Sequence, residues 1–166
     1  MRAMIANKLD TEALGPQSRA VADVAKILNE KSGDVIRIAG DATVFEAVKA
    51  MVDANVGAIL VTGDDPNAID GIFTERDYLR RIAVEGRTSR ETLVREVMTS
   101  PVLVVAPETT IEEAMALMTD RRIRHAPVVE GSQLVGMVSI GDVNACHASN
   151  QEQQISFLND YIYGRA

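Results

Sequence analysis

The chain has 166 residues, a mass of 18.0 kDa and a composition of 46% hydrophobic and 25% charged residues, which excludes a largely disordered protein. Its net charge of −7 opposes binding to nucleic acid, and an aromatic content of 4% argues against a surface on which bases stack. The apolar runs are too short for a membrane span of ~18 residues, and a single cysteine, Cys146, excludes an intramolecular disulfide. We therefore expect a cytoplasmic protein without a nucleic-acid or membrane partner.

Two segments of the chain repeat one pattern. Residues 41–53 and 108–120 align at an offset of 67 positions, and upstream residues 24–28 resemble residues 94–98. The identical pairs are Thr43/Thr110, Glu46/Glu113, Ala47/Ala114, Met51/Met118 and Asp53/Asp120. Repetition at this spacing predicts two copies of one structural unit.

The repeats divide the chain into five predicted segments. These are an N-terminal extension (1–19), a first repeat (20–84), a polar linker (85–93), a second repeat (94–148) and a C-terminal helix (149–166).

Each repeat predicts the same order of elements. In the first, β-branched residues favour a strand at 35–39, a helix follows Thr43, strands occupy 58–62 and 69–74, and a second helix begins at Glu75. The second repeat has strands at 102–105, 126–129 and 134–139, with helices after Thr110 and from Ile140. Such a β-α-β-β-α unit is too short to bury its sheet alone. We expect an α+β fold in which the two repeats pack sheet to sheet around one core.

The two predicted N-caps carry a capping-box signature. Thr43 and Thr110 are each followed three residues later by a glutamate, Glu46 and Glu113. This spacing allows the threonine side chain and the glutamate side chain to satisfy each other's backbone amides.

The C-terminal segment predicts an amphipathic helix over 151–163. Ile155, Leu158 and Ile162 recur on one stripe, with Phe157 and Tyr161 beside it. The stripe must be buried either on the chain's own domain or against a second subunit, and the sequence leaves both possibilities open.

The residues with the clearest chemistry end the third strand of each repeat. Thr74 and Asp77 in one copy match Ser139 and Asp142 in the other, within a shared pattern of Gly-x-x-Thr/Ser-x-x-Asp. A hydroxyl at a helix N-terminus can donate to a phosphate oxygen, and a carboxylate three residues later can accept from two ribose hydroxyls. The alternative is that these residues only cap their helices. Two copies at matching positions favour the ligand.

Three motifs connect the chain to a known family. They are Val-Met-Thr-Ser-Pro-Val at 97–102, Arg-Arg-Ile-Arg-His-Ala-Pro-Val-Val at 121–129 and the paired Gly-x-x-Thr/Ser-x-x-Asp stretches. With them, about residues 20–148 resemble a tandem pair of cystathionine-β-synthase (CBS) domains, the arrangement called a Bateman module. The resemblance implies two clefts between the repeats, related by a pseudo-twofold axis, that bind AMP, ADP, ATP, NAD(H) or, as a weaker candidate, S-adenosylmethionine.

The same resemblance assigns roles to individual residues. It implies that Asp77 and Asp142 bind ribose and that Thr74 and Ser139 bind phosphate. It also implies that adenine lies against the backbone in each cleft. The residues are Ile36, Gly57 and Ala58 in one cleft and Leu103, Arg124 and His125 in the other.

Basic residues make the two clefts unequal. Arg124 and His125 occupy positions that reach phosphates in the family, although a purely structural histidine remains an alternative. Arg121, Arg122 and Arg76 are further candidates for phosphate contact; for Arg121 and Arg122 the alternative is a solvated helix face.

The favoured function is a stand-alone regulatory module that binds an adenosine nucleotide and signals to a partner protein by a change of shape, as a homodimer. The alternative is a dimeric interaction scaffold with vestigial clefts. We expect no enzymatic activity, catalytic residue or catalytic cofactor, because no acid/base pair accompanies an activated nucleophile. We expect no metal site either, because the neighbours Cys146 and His147 have no third ligand at suitable spacing.

Overall fold

The computed structural model describes the backbone of residues 4–5 and the complete residues 22–163. The predicted extension 1–19 therefore lies almost entirely outside the described residues. Its described part is a two-residue strand, β1 (Met4–Ile5), which pairs in parallel with a strand of the second repeat.

The first half of the chain forms a three-stranded sheet with helices. In chain order the elements are α1 (Val24–Glu30), β2 (Arg37–Ala39), α2 (Val44–Ala54), β3 (Ala58–Thr62), β4 (Ile69–Thr74) and α3 (Glu75–Asp77), which continues as a π-helical segment, Tyr78–Ala83. Strand β2 runs parallel to β3, and β3 runs antiparallel to β4.

The second half repeats this arrangement. Its elements are α4 (Val94–Val97), β5 (Leu103–Val104), α5 (Ile111–Arg121), β6 (His125–Glu130), β7 (Gln133–Ser139) and α6 (Ile140–Tyr163). Strands β6 and β7 are antiparallel, and Val105 bridges β5 to β6 in parallel. The predicted α+β fold is confirmed. The helices begin at Glu75 and Ile140 as predicted, and β2 and β5 are shorter than their predicted ranges.

Matched capping boxes start the two long internal helices. Thr43 Oγ1 accepts from the Glu46 amide at 3.2 Å, and the Glu46 carboxylate accepts from the Thr43 amide at 2.8 Å. Thr110 and Glu113 make the same pair of bonds at 3.1 and 2.9 Å. The predicted capping boxes are therefore confirmed.

The leading helices are exchanged between the repeats. Helix α1, which precedes the first sheet in sequence, packs in the second repeat's core through Val24 and Ile27. Helix α4, which precedes β5, packs in the first repeat's core through Val94 and Val97. The predicted segments place residues 24–28 in the first repeat and 94–98 in the second, and the sequence does not show the exchange.

Backbone hydrogen bonds fix this exchange symmetrically. The amide of Val24 donates to Thr109 O at 2.9 Å, and the amide of Val94 donates to Ala42 O at the same distance. Thr109 and Ala42 are themselves equivalent positions of the two repeats. The pseudo-twofold relation therefore extends to individual backbone bonds.

A third cluster lies where the two sheets meet. Ala58 and Leu60 of β3 join Ile72, Val102 and Leu134 in it. The alternate residues of β3, Ile59 and Val61, face the helices of the first repeat instead. This alternation is what a strand between two apolar layers requires, and it accounts for the full burial of β3.

The predicted C-terminal helix is the second half of one continuous helix, α6. Its first half contributes Val143 and Cys146 to the second core. Its second half leaves Phe157 and Ile162 each 68% exposed and Leu158 47% exposed, so the chain's own described residues do not bury the stripe. None of the helices within residues 22–163 has the length and apolar character needed to cross a bilayer.

The cap of α5 gives a direct test of the fold. Thr110→Ala should lower the free energy of unfolding by about 1 kcal/mol, because it leaves the Glu113 amide without its acceptor. Urea denaturation measures the change. Thr119→Ala, at an exposed position near the other end of α5, is the matched control and should change the value by less than about 0.5 kcal/mol. Equal losses in both variants would contradict the capping role.

Candidate functional site

A cavity of about 530 Å³ lies between the two repeats. One wall comes from the first repeat, through the loop before β2 and the turn between α2 and β3, and the other from β7 and the start of α6. Six of the predicted site residues line it: Ile36, Gly57, Ala58, His125, Ser139 and Asp142. The structure thus brings the predicted adenine-contacting backbone of the first repeat together with the hydroxyl and carboxylate of the second.

Asp142 lies at the base of α6 and is held by two donors on one oxygen. Its Oδ2 accepts from the Ser139 amide at 2.8 Å and from Lys31 Nζ at 2.8 Å. In return, the Asp142 amide donates to Ser139 Oγ at 3.1 Å. Ser139 and Asp142 therefore cap α6 reciprocally, as the capping alternative expects, while the Asp142 side chain stays 27% exposed at the cavity wall.

The surroundings of Asp142 favour its ionised form. Partial burial alone would raise its pKa, but the Lys31 ammonium and the Ser139 amide outweigh this and hold the pKa below the usual value of 3.8. A carboxylate that is charged and partly open to a cavity can accept hydrogen bonds from an incoming ligand.

The equivalent carboxylate of the first repeat is more enclosed. Asp77 is 9% exposed, and its Oδ2 accepts from the amide and the hydroxyl of Thr74, both at 2.9 Å. Its Oδ1 accepts from Thr99 Oγ1 at 3.1 Å. Both carboxylate oxygens of Asp77 are thus already bound within the chain.

The backbone fixes Thr99 in this position. Its amide donates to Ile72 O at 2.8 Å, and its carbonyl accepts from the Ile72 amide at 3.0 Å. Arg81 Nη1 holds the preceding carbonyls of Val97 and Met98, both at 2.8 Å. The segment that closes over Asp77 is therefore attached at several points.

A glycine in each sheet allows an exchanged helix to pack closely against that sheet. A Cβ on Gly71 would collide with the Met98 side chain, and a Cβ on Gly136 would collide with Leu28. Met98 and Leu28 are equivalent residues at the ends of the exchanged helices. The glycine of each Gly-x-x-Thr/Ser-x-x-Asp motif thus makes room for the opposite repeat's helix.

His125 lies beside the first repeat's half of the cavity. Its Cε1 is 3.3 Å from the position that a Cβ on Gly57 would occupy, as is Glu75 Oε2. The resemblance grouped His125 with Leu103 and Arg124, whereas the structure places it opposite Gly57. Burial, together with the nearby Lys31 and Arg124 cations, lowers the pKa of His125 below 6.5, although Glu75 and Asp142 act in the opposite sense.

The remaining predicted residues lie elsewhere. Thr74 and Asp77 form the enclosed pair described above, and Leu103 lies in β5. Arg124 is exposed, and its carbonyl accepts from the Ile140 amide at 2.8 Å. The three other arginines are also exposed: Arg76, Arg121 and Arg122. Arg76 Nη1 donates to Arg122 O at 3.1 Å, which ties α3 to the end of α5.

Sequence reasoning did not single out Lys31 or Thr99, which donate to the aspartates from outside the Gly-x-x-Thr/Ser-x-x-Asp motifs. Thr99 lies within the 97–102 motif, so the motif itself contained the signal. Lys31 lies in a loop where the first repeat is three residues longer than the second, as the change of offset from 70 to 67 positions indicates. A difference in loop length beside a predicted site is a signal that could have identified it.

The neighbours Cys146 and His147 have separate surroundings. Cys146 is buried in the second core, while His147 Nδ1 lies 3.7 Å from Glu112 Oε1. Over residues 22–163, no group of three His, Cys, Asp or Glu side chains is arranged to hold a metal ion.

Comparison with known proteins identifies the family. The CBS domain model matches residues 21–84 and 94–146. The chain belongs to the CBS domain proteins. It is 43% identical over 157 residues to the Arabidopsis thaliana protein named CBS domain-containing protein CBSX3, mitochondrial. The aligned region covers 92% of this chain and 76% of the relative.

Solved structures share the architecture. A putative signal-transduction protein with CBS domains from Burkholderia ambifaria has a TM-score of 0.74 at 39% identity, covering 78% of this chain and 96% of that one. A hexameric CBS-CP12 protein from bloom-forming cyanobacteria has a TM-score of 0.68 at 32% identity, covering 76% and 72%. The CBS domain pair of protein MJ0100, in complex with 5-methylthioadenosine and S-adenosylmethionine, has a TM-score of 0.68 at 21% identity, covering 78% and 98%.

The lowered pKa of Asp142 predicts a pH-dependent contribution to stability. A depressed carboxylate pKa stabilises the fold above its unfolded value of 3.8, and this contribution disappears as the pH falls through the lower folded value. At pH 7, Asp142→Asn should lower the Tm by about 2–4 °C, since a half-exposed ion pair contributes up to ~1 kcal/mol. Calorimetric melting from pH 7 to pH 2.5 should show this difference shrinking.

The matched control is Asp160→Asn, on the exposed distal part of the same helix. Its difference from the wild type should be small at every pH. A difference between Asp142→Asn and wild type that stayed constant down to pH 2.5 would contradict the lowered pKa.

Proposed function

We propose that this CBS domain pair is a regulatory module that reversibly binds an adenosine nucleotide in the cavity beside Asp142. The observation that carries the proposal is the composition of that cavity. It joins Ser139 and Asp142 of the second repeat to Ile36, Gly57 and Ala58 of the first, in a volume of about 530 Å³. Ligand sites of small molecules have volumes of this order, roughly 300–1,000 Å³.

Each part of a nucleotide has a suitable partner in this cavity. The Asp142 carboxylate can accept from the two ribose hydroxyls, and Ser139 lies at the N-terminus of the 24-residue helix α6, where negative charge is favoured. The backbone around Ile36, Gly57 and Ala58 forms one wall of the cavity, against which adenine can lie. His125 at the rim can turn cationic near a phosphate, because an anion raises a neighbouring histidine pKa.

The family supports an adenosine ligand. The CBS pair of MJ0100 binds methylthioadenosine and S-adenosylmethionine, although its likeness to this chain is one of fold. For this chain we propose AMP, ADP, ATP or NAD(H), with S-adenosylmethionine as a weaker candidate. For the second cleft that the family resemblance implies, with Thr74, Asp77, Leu103 and Arg124, we propose a lower affinity, since a ligand on Asp77 must displace the Thr99 bond.

A ligand in this position would bridge the repeats. It would contact the first repeat through Gly57 and the second through Asp142, so binding can favour one relative arrangement of the two. A conformational signal requires that the ligand bind one arrangement more tightly than another. A partner protein would respond to the change in arrangement. The proposed assembly is a homodimer, although the related CBS-CP12 protein is a hexamer.

One observation favours the scaffold alternative. The distal half of α6 exposes Phe157, Leu158, Tyr161 and Ile162, and exposed apolar groups of this kind occur at protein–protein interfaces. A scaffold would use this surface whether or not the cavity is filled. The two functions therefore differ in whether a nucleotide changes the protein.

Thermal melting with AMP, ADP, ATP, NADH and S-adenosylmethionine tests the proposal, with guanosine nucleotides as controls. At about 100 times its Kd, a ligand adds ~2.7 kcal/mol, or roughly 5–10 °C for a chain of this size. Asp142→Asn should weaken the affinity by about 10- to 100-fold, the effect of losing hydrogen bonds to a charged group. Asp77→Asn is the matched control and should weaken it less, because Asp77 is already fully engaged.

Absence of a shift with every adenosine ligand, from protein free of bound nucleotide, would reject the nucleotide-binding function and favour the scaffold. A shift that Asp142→Asn leaves unchanged would show that the ligand binds elsewhere.

A further inference from the structure

Lys31 occupies the carboxylate that the proposed ligand needs. Its Nζ lies 2.8 Å from Asp142 Oδ2 and 3.3 Å from Met137 O, at the wall of the cavity. A ribose that binds through both oxygens of Asp142 must compete with this ammonium for Oδ2. The Lys31 bond to Asp142 therefore has to break or rearrange on binding.

The equivalent contact of the first repeat is of a different kind. Thr99 donates a neutral hydroxyl to Asp77, and its backbone pairing with Ile72 fixes it in place. Lys31 donates through a long side chain that is 45% exposed, from a loop three residues longer. The lysine ammonium can move several ångströms from its aspartate by rotation of its long side chain, whereas the threonine hydroxyl stays close to a backbone that Ile72 holds.

The displaced Lys31 ammonium needs a new anionic partner. The titratable residues lining the cavity are Lys31, Asp34, His125 and Asp142. The ammonium and the Ser139 amide converge on the same oxygen of Asp142, so they lie within two hydrogen-bond lengths of each other. An anionic group bound near Ser139 would be in reach of Lys31, while a neutral ligand would break the ion pair without supplying a new anion.

We infer that Lys31 exchanges Asp142 for an anionic group of the ligand, and so makes this cleft selective for phosphorylated over neutral adenosine compounds. The inference rests on the proposed function, and it adds a selectivity that the shared Ser-x-x-Asp pattern does not provide. Lys31 is then a specificity-determining residue, since it penalises a ligand without negative charge and binds one that has it.

Isothermal titration calorimetry with AMP and with adenosine tests this exchange. Lys31→Met should weaken AMP binding and leave adenosine binding equal or tighter, so the preference for AMP should fall about fivefold, the upper range for a half-exposed ion pair. Lys31→Arg keeps the charge and should keep most of the preference. Melting curves of the variants without ligand verify that they fold.

Lys26→Met is the matched control. It removes the same charge from the neighbouring turn of α1, where Lys26 Nζ contacts Asn150 Oδ1 at 3.1 Å outside the cavity lining. It should keep the wild-type preference, which separates the local contact from an effect of net charge.

Three results would overturn the inference. If wild type binds AMP and adenosine but Lys31→Met keeps their affinity ratio, Lys31 has no part in selectivity, and the nucleotide-binding function still stands. If Lys26→Met lowers the ratio equally, the effect is one of net charge. If wild type binds neither AMP nor adenosine, the inference fails, and the proposed function fails with it only if ADP, ATP, NADH and S-adenosylmethionine also leave the melting temperature unchanged.

Discussion

The exchange of leading helices is the constraint on which the cavity depends. Helix α1 is built into the second repeat's core by Val24 and Ile27, and its end, Leu28, lies over Gly136. From there the chain must return to the first repeat to form β2. The returning loop passes the start of α6 and brings Lys31 to Asp142. The loop that crosses between the repeats therefore forms part of the cavity wall.

The same frame gives the two repeats unequal carboxylate sites. Both repeats place a carboxylate three residues beyond a hydroxyl at the start of a helix, and in both a residue following the exchanged helix contacts that carboxylate. In the first repeat the contact is a fixed, neutral threonine on an enclosed aspartate. In the second it is a half-exposed lysine on an aspartate that borders a cavity. The loop that carries this lysine is three residues longer than its counterpart in the second repeat.

The local structure could be predicted from the sequence because its causes are local. A threonine followed by a glutamate three residues later specifies the caps of α2 and α5, and β-branched runs specify β3 and β4. The pairing of Ser139 with Asp142 follows for the same reason. The role of Asp142 toward a ribose stays a prediction. The segment boundaries and the cytoplasmic location also stay predictions, and the Arabidopsis relative is named as mitochondrial.

What the sequence could not supply depends on contacts between distant residues. Nothing in residues 24–28 shows that they pack on the second core, since their apolar spacing would suit either repeat. The contact between Lys31 and Asp142 joins residues 111 positions apart and follows only once the helices are exchanged. The position of His125 opposite Gly57 has the same origin. The stripe on the distal half of α6 is not covered by the described part of its own domain, and burial against a second subunit stays a prediction.

A crystal structure of the protein grown with AMP tests the central claim, that the cleft beside Asp142 is the ligand site, most directly. We expect AMP between Gly57 and Asp142, with both ribose hydroxyls on the Asp142 carboxylate and Lys31 moved from Oδ2 to the phosphate. Asp77 should keep its bonds to Thr74 and Thr99. AMP bound only beside Asp77, or bound at Asp142 with the Lys31 ion pair intact, would contradict the account.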